Sequence, residues 1–302
     1  MKITISERLR PFCHLPGTSC VIPWSSWKVQ AFPTLLKFEN LITGEKKEDK
    51  LPWKGPVLDF TIELDLEKGV VWVFGHTLDG YRRHKIEMPE IPVAALERLS
   101  LGMHKTLDWE LVKRRRDLKE ILPVWFRLGQ MVPEAGKKVG AAALLKEYGK
   151  MEVCEAYLKM FLAGFEGILT PRLSDPDHQG IIAEGNFSES PLVLLREGAR
   201  LIRSLFFTES KESWSFLPCL PPEFHAGRLL DLQTELGDKI DLEWSKKLLK
   251  RVIITPAVSR EIFIHLQKPL QSFRAEKGER QTIERSLKLE AGKRIYLDRF
   301  EK

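Results

Sequence analysis

Residues 181–244 constrain this chain most, because within them a helical pattern stops at closely spaced prolines and a strand pattern begins. Leu192–Phe207 carries apolar residues at helical spacing, and Ser190-Pro191 before it suits an N-cap followed by the first helical position. The three prolines within Leu217–Pro222 cannot continue a helix, since each lacks an amide hydrogen and restricts the residue before it. Ile240–Trp244 then alternates like a strand. A helical region is therefore expected to precede a β-domain here.

Residues 1 to about 90 are expected to be mainly β-structure. Phe60–Leu66 alternates apolar and polar residues, and Val70–Phe74 is apolar throughout, with a glycine-containing turn between them, which predicts a β-hairpin. A strand that is apolar on both faces is normally covered on both sides, so we expect a sandwich rather than an open sheet. Lys2–Ile5 is predicted to be a short strand, and Glu45–Lys50 a solvated charged loop.

From about residue 93 the apolar residues recur at helical spacing. Leu107–Leu122 is predicted to be a helix that begins at the N-cap Asp108 and that Pro123 ends. Val139–Phe165 is a further apolar-rich segment of helical character. The segments after Trp214 that have the character of strands are Leu229–Leu232, Ile240–Trp244, Arg251–Thr255, Ile262–Leu266 and Thr282–Leu297.

These patterns predict the α+β fold class with a multidomain β-α-β layout. An N-terminal β-sandwich-like domain would occupy residues 1–92, and a short helical middle region residues 93–210. A C-terminal β-sandwich-like domain would occupy residues 211–302. A length of 302 residues suits two or three modest domains.

Charge and cysteine content set loose bounds on function. A net charge of +6 permits anionic partners without naming one. No apolar run approaches the roughly 20 residues of a membrane span, and the N-terminus does not have the pattern of a signal peptide, so we expect a cytoplasmic protein without a membrane partner. The four cysteines are scattered, with no Cys-x-x-Cys pair, so neither a metal nor another cofactor is expected.

Lys113–Arg116 is the one dense basic run in the sequence. Consecutive helical residues point about 100° apart, and Asp117 and Glu120 partly neutralise the run, so we interpret it as a solvated helix face. No recognised nucleic-acid module accompanies it, and nucleic acid is not the partner we expect. A polyanion-binding helix stays a weaker alternative.

Four motifs follow one another in the second half of the chain: Glu184-Gly185-Asn186-Phe187-Ser188, Leu217–Pro221, Asp241–Trp244 and Leu287–Lys293. Their order resembles the end of the catalytic region of glycoside hydrolase family 95, the α-L-fucosidase and galactosidase group. In that family an Asp-Gly-Asn-Phe-Gly turn precedes an amphipathic helix, a Leu-Pro-Ala-Leu-Pro element and a β-domain. The resemblance covers the last third to half of the chain. The helical segment here is far shorter than the family's full (α/α) barrel. The resemblance therefore implies a truncated and divergent relative of the family.

The resemblance implies that Glu184 is the catalytic residue, because the aspartate of the matching turn helps to position or activate the hydrolytic water. Glu184 is one methylene longer than that aspartate. The family's general-acid Glu-Trp motif and its asparagine-rich segment are not recognisable in this sequence. Judged by residue type alone, Glu184 could also be a surface carboxylate or support the dipole of the following helix.

Five further residues are candidates for substrate binding. Asn186 could bond sugar hydroxyls or its own local backbone. Asp177 and His178 lie in the loop upstream, where site residues concentrate but solvated pairs are also common. Trp24 and Trp27 lie in a Pro/Ser-rich segment and are the tryptophans expected to be exposed, so their rings could stack on a sugar, although either could pack in a core.

Two classes of function stay open. The first is a carbohydrate-binding protein on a truncated family 95-like scaffold; whether it is an enzyme is undecided, and if it is, the reaction is glycoside hydrolysis. The second is a non-catalytic protein-interaction or assembly protein that uses the same scaffold. A cleft where Glu184, Asn186 and exposed aromatic residues converge would favour a glycan or oligosaccharide partner. A flat apolar patch elsewhere would favour the second class. The sequence leaves the oligomeric state open.

Overall fold

The computed structural model describes residues 2–88, 96–103, 105–134, 152–172, 190–276, 278, 280–283 and 285–302, which form a β-rich α+β fold. Four helices lie in the described residues: α1 (Trp109–Arg115), α2 (Leu118–Gly129), α3 (Val153–Gly164) and α4 (Leu192–Phe206). The strands, in chain order, are β1 (Phe12–Cys13), β2 (Thr18–Val21), β3 (Trp27–Phe32), β4 (Leu35–Asn40), β5 (Lys46–Lys50), β6 (Leu58–Asp65), β7 (Val70–Thr77), β8 (Gly80–Ile86), β9 (Arg98–Ser100), β10 (Phe165–Glu166), β11 (Thr170–Pro171), β12 (Phe207–Glu209), β13 (Ser213–Phe216), β14 (Ala226–Gln233), β15 (Lys239–Ser245), β16 (Leu248–Thr255), β17 (Arg260–Leu266), β18 (Ser272–Ala275), β19 (Arg280–Thr282), β20 (Leu287–Leu289) and β21 (Ile295–Glu301).

The chain forms two compact units, each built from separate segments. The N-terminal unit comprises Arg8–Pro92 and Lys105–Ala199. The C-terminal unit comprises Met1–Glu7, Val93–His104 and Arg200–Lys302. No helix among the described residues is both long enough and apolar enough to cross a membrane.

The N-terminal unit contains two four-stranded antiparallel sheets, ordered β1-β6-β7-β8 and β2-β3-β4-β5. The predicted hairpin is confirmed, because β6 pairs antiparallel with β7 across a turn at Gly69, whose φ is 67°. The charged segment predicted to be a loop is instead the edge strand β5, and that prediction was wrong. All five of its residues are exposed, and a charged edge strand discourages pairing with other chains.

The predicted helix Leu107–Leu122 is two helices in the structure. Asp108 caps α1 as expected, with its side chain accepting hydrogen bonds from the backbone of the first turn. Arg116 then adopts a left-handed conformation with φ 53°, and Asp117 caps α2. Pro123 lies inside α2 instead of ending a helix, so that expectation was wrong.

Helices α2 and α4 approach closely at two glycines of the N-terminal unit. A Cβ at Gly129 would lie 2.4 Å from the Leu195 carbonyl oxygen, and one at Gly198 would lie 2.3 Å from the Trp125 ring. The Trp125 indole nitrogen donates a hydrogen bond to the Leu195 carbonyl oxygen at 3.1 Å. The Ser190 hydroxyl accepts from the Leu192 amide at the start of α4, as its predicted N-cap role requires.

The C-terminal unit consists mainly of a seven-stranded sheet, β19-β18-β21-β16-β15-β14-β9, and a four-stranded sheet, β12-β13-β17-β20. Four of its predicted strands are confirmed as β14, β15, β16 and β17, whereas Thr282–Leu297 is divided among short strands. Lys2–Ile5 was predicted to be a strand but pairs with no strand among the described residues, so that prediction was wrong. Ile3 and Ile5 still pack against a cluster that contains Leu230 and Ile253, so the alternating pattern marks burial rather than pairing.

A buried ion pair joins the turn after β14 to β17 in the C-terminal unit. The Asp238 carboxylate is fully buried and accepts hydrogen bonds from the Thr234 hydroxyl at 2.6 Å and the Ala257 amide at 2.8 Å, as well as from the Arg260 guanidinium. Burial acts to raise the pKa of Asp238, but the hydrogen bonds from Arg260, Thr234 and Ala257 outweigh it, so the pKa lies below its ordinary value of 3.8.

Replacing either close-approach glycine by alanine is expected to lower the free energy of unfolding by about 1–3 kcal/mol, despite the better helix propensity of alanine. Gly129→Ala should cost at least as much as Gly198→Ala, because a backbone carbonyl cannot move aside. Denaturant unfolding measures both. Gly55→Ala is the control, since nothing lies within 4 Å of its added Cβ. Equal stability of all four proteins would contradict the close packing.

Asp238→Asn is expected to lower the free energy of unfolding near neutral pH by about 3 kcal/mol, because it leaves the Arg260 charge without its carboxylate. Since the folded-state pKa of Asp238 is depressed, its contribution is present above pH 3.8 and is lost as the pH falls below that value.

Thermal unfolding between pH 7 and pH 2 should therefore show a shallower acid dependence for Asp238→Asn than for the unaltered chain. Asp49→Asn, which changes an exposed carboxylate on β5, serves as the control and should keep the full acid dependence. If the unfolding temperature of Asp238→Asn falls with pH as steeply as that of the unaltered chain, the Asp238–Arg260 pair does not have the proposed role.

Candidate functional site

Four of the residues singled out in the sequence lie outside the described residues: Glu184, Asn186, Asp177 and His178. Their roles stay predictions from the sequence.

The two tryptophans expected to be exposed are half-buried in the N-terminal unit. Trp24 has φ 65°, and its ring lies against Gly69, where an added Cβ would be 2.6 Å from the indole nitrogen. Trp27 begins β3, and the Lys47 ammonium lies 5.3 Å from its ring centroid. Each ring therefore has a protein neighbour on its surface, although part of each side chain stays accessible.

A different set of aromatic side chains gathers on one side of the β1-β6-β7-β8 sheet. Residues directly opposite in an antiparallel pair share a face of the sheet. Ile62 pairs with Val73 and Leu64 with Val71, and all four are fully buried. The alternate residues must therefore point to the other side. We call that side the aromatic face and define it by Phe12, Trp72, Phe74, His76 and Tyr81.

Strand register arranges the aromatic face in rows across the sheet. Phe12 is opposite Glu63, Glu63 opposite Trp72, and Trp72 opposite Lys85. The next row runs from Thr61 through Phe74 to Arg83. The last row pairs His76 with Tyr81. Alternate residues of a strand lie roughly 6.6 Å apart, and neighbouring strands about 4.8 Å apart, so the rings form a closely spaced array.

The Arg83 guanidinium is the main cover over the middle of the aromatic face. Its central carbon lies 3.6 Å from the Trp72 ring centroid and 5.9 Å from that of Phe74. Glu63 helps to position the Arg83 guanidinium, because its carboxylate forms ion pairs with Arg10 at 2.6 Å and with Arg83 at 3.9 Å. The stacked cation leaves the tryptophan half-buried.

The edge of the aromatic face is the exposed part. Tyr81 is 54% exposed, and its ring centroid lies 5.5 Å from that of His76 and 6.2 Å from that of Phe74. His76 is exposed, and its Nδ1 lies 3.3 Å from a carboxylate oxygen of Asp59. Exposed rings thus adjoin charged groups that can bond hydroxyls.

Sequence reasoning singled out none of the residues that form this edge. Tyr81, His76 and Arg83 were not named as candidates, and Trp72 lies in Val70–Phe74, the apolar segment that was expected to be covered on both sides. The available signal was the period-two series Trp72-x-Phe74-x-His76 followed by Tyr81-x-Arg83-x-Lys85. That series shows which residues share a face, and the register shows that the two series meet.

Neither the models of known protein families nor the curated protein sequences that were compared with this chain gave a match.

Proposed function

We propose that this chain is a carbohydrate-binding protein and that the aromatic face contributes to glycan binding. One observation carries the proposal: Tyr81 and His76 are exposed at the edge of a sheet face whose inner rows hold Phe74 and Trp72. A folded chain normally buries such rings, so a row of them left accessible on a strand pair indicates an interaction surface.

Carbohydrates suit this surface because they combine apolar and polar sides. The C–H groups of a sugar ring can pack on an aromatic ring, while its hydroxyls bond charged groups at the margin. Asp59, Glu63 and Arg83 provide acceptors and donors beside the rings. The array is elongated along β7 and β8, which favours an oligosaccharide over a single sugar.

The resemblance to glycoside hydrolase family 95 is part of the proposal. In its support, α4 begins at Leu192, C-terminal to Glu184 in the sequence, and the Asp241–Trp244 motif lies in β15, whose residues alternate between buried and partly exposed. All four described helices fall within residues 93–210, which supports the proposed helical middle region, and most of that region belongs to the same compact unit as Arg8–Pro92. Sandwich-like β-domains in residues 1–92 and 211–302 stay part of the proposal.

Whether the chain also hydrolyses a glycan depends on Glu184, which we propose as the base if hydrolysis occurs. The alternative is a non-catalytic interaction or assembly protein. Exposed apolar side chains beside the aromatic face, Leu58 at 63% and Leu78 at 69%, are the observation that favours this second class. The two classes differ in whether the face recognises sugars or a protein surface.

Tyr81→Ala is expected to weaken oligosaccharide binding about tenfold, because it removes an exposed ring from the aromatic face. Tyr81→Phe should retain most of the affinity, since stacking needs the ring rather than the hydroxyl. A glycan-array screen identifies a ligand, and isothermal titration then measures each variant.

Leu78→Ala is the matched control, because it removes an exposed apolar side chain from the β7–β8 turn without altering a ring. Glycan binding by Leu78→Ala should equal that of the unaltered chain. A loss in Leu78→Ala as large as in Tyr81→Ala, or no glycan bound by any of the proteins, would favour the protein-interaction class.

Glu184→Gln is expected to leave oligosaccharide affinity unchanged and to reduce glycoside hydrolysis about 100-fold or more, as loss of a general base does. Product release from the array ligand, followed by chromatography, measures the rate. Tyr81→Ala is the comparison, since its effect on hydrolysis should disappear at saturating substrate. Hydrolysis that persists in Glu184→Gln would remove this residue from the mechanism.

A further inference from the structure

The N-terminal unit also contains a groove of about 800 Å³, lined by residues of α1, the end of α3, β10 and the turn that follows β10. Its volume lies within the roughly 300–1,000 Å³ of small-molecule pockets. The cations that line it are Lys113, Arg114, Arg116 and Arg172. None of these residues belongs to the aromatic face, so the groove is a separate feature.

Three members of the basic run line this groove because α1 ends within the run. The left-handed conformation of Arg116, with φ 53°, redirects the chain after the helix. Arg115 turns away, and its Nε donates to the fully buried Glu120 carboxylate at 2.8 Å. Because α1 ends before Arg116, the Arg116 side chain does not take the next position around the helix axis.

The carboxylates that line the groove are already paired. Glu110 bonds the Lys113 ammonium at 2.9 Å. Glu166 lies 3.6 Å from Lys28 and accepts a hydrogen bond from the Ser19 hydroxyl at 3.4 Å. Neither carboxylate is therefore needed to balance the remaining arginines.

The guanidiniums of Arg114 and Arg116 carry the uncompensated charge. Both side chains are exposed, and within the part of the chain that the structure describes neither makes an ion pair or a side-chain hydrogen bond. Arg172 differs, because its Nε and Nη2 donate to the Ala163 and Leu162 carbonyl oxygens at the end of α3, at 2.7 and 3.1 Å. It helps to fix the opposite wall of the groove.

The rest of the wall is apolar. Leu162 and Phe165 line the groove beside Trp109 and Phe161, whose rings pack edge to face with centroids 6.0 Å apart. The Trp109 indole nitrogen is buried and has no acceptor among the described residues. An apolar wall with convergent cations suits an organic anion better than a bare inorganic one.

We propose that this groove binds a phosphorylated small molecule, with its phosphate held by the Arg114 and Arg116 guanidiniums. Guanidinium matches phosphate oxygens in bidentate geometry. A phosphomonoester carries a charge of about −1.5 to −2 at pH 7, which the two arginines balance. A ligand with a single carboxylate would leave one of the two arginine charges unbalanced. The organic part then occupies the volume beside Leu162 and Phe165.

Isothermal titration with inorganic phosphate, glucose 6-phosphate, AMP and a single-stranded oligonucleotide tests the proposal. The comparison of glucose 6-phosphate with AMP distinguishes a sugar phosphate from a nucleotide. At least one organic phosphate should bind about tenfold more tightly than inorganic phosphate. The double variant Arg114→Gln/Arg116→Asn should lose at least about tenfold in affinity for it. Asparagine is chosen because it tolerates the left-handed backbone of Arg116.

Lys50→Gln/Arg82→Gln is the control, since it also removes two exposed positive charges from the N-terminal unit and should bind within about twofold of the unaltered chain. Arg114→Lys/Arg116→Lys keeps the charge but not the bidentate geometry, and should lose affinity while folding normally.

Three results would overturn the proposal: no organic phosphate bound, equal losses in both charge-removing double variants, or binding of a single-stranded oligonucleotide alone. Circular dichroism of each variant ensures that a loss of binding is not a loss of fold. If the glutamine/asparagine variant fails to fold, the double-lysine variant decides the outcome. Because the groove does not use Tyr81, the result is independent of the glycan-binding tests.

Discussion

The pairing register of β6, β7 and β8 is the constraint on which the candidate site depends. Burying Ile62, Leu64, Val71 and Val73 on one side of the sheet forces every alternate residue to the other. A slip of one residue would place Trp72 and Phe74 in the core and expose the valines. The energy of the hydrophobic core therefore fixes the geometry of the aromatic face, although no core residue belongs to it.

Local patterns in the sequence predict the elements of the fold better than they predict its breaks. The β6–β7 hairpin, α4 and the strands β14 to β17 follow from periodicity and capping signals, because each pattern is long and uninterrupted. The division between α1 and α2 does not, since it depends on a single left-handed arginine with no glycine to mark it. The edge strand β5 was missed because its residues are all charged, and only pairing with β4 makes it a strand.

The candidate site was harder to predict because exposure is a property of the assembled sheet. Trp72 lies in a strand of apolar residues, and nothing nearby in the sequence shows that Arg83, eleven positions later, covers its ring. Tyr81 and His76 become neighbours only through the register of β7 and β8. The tryptophans Trp24 and Trp27 were chosen for their loop-like composition, yet Trp27 lies in a strand. Composition pointed to aromatic side chains, and the topology of the sheet decides which of them are accessible.

The two surfaces of the N-terminal unit differ in how their charges are balanced, and this difference argues for two kinds of ligand. On the aromatic face, Arg83 stacks on Trp72 close to Glu63, and Glu63 also pairs with Arg10, so these charges have neighbours of the opposite sign. In the groove, Arg114 and Arg116 are exposed without such neighbours among the described residues. Binding of a neutral sugar to the first surface should respond little to salt, whereas attraction of an anion to the second is screened as ionic strength rises. The salt dependence of ligand binding therefore distinguishes the two sites. At each site it depends on the charges close to the ligand rather than on the net charge of the chain.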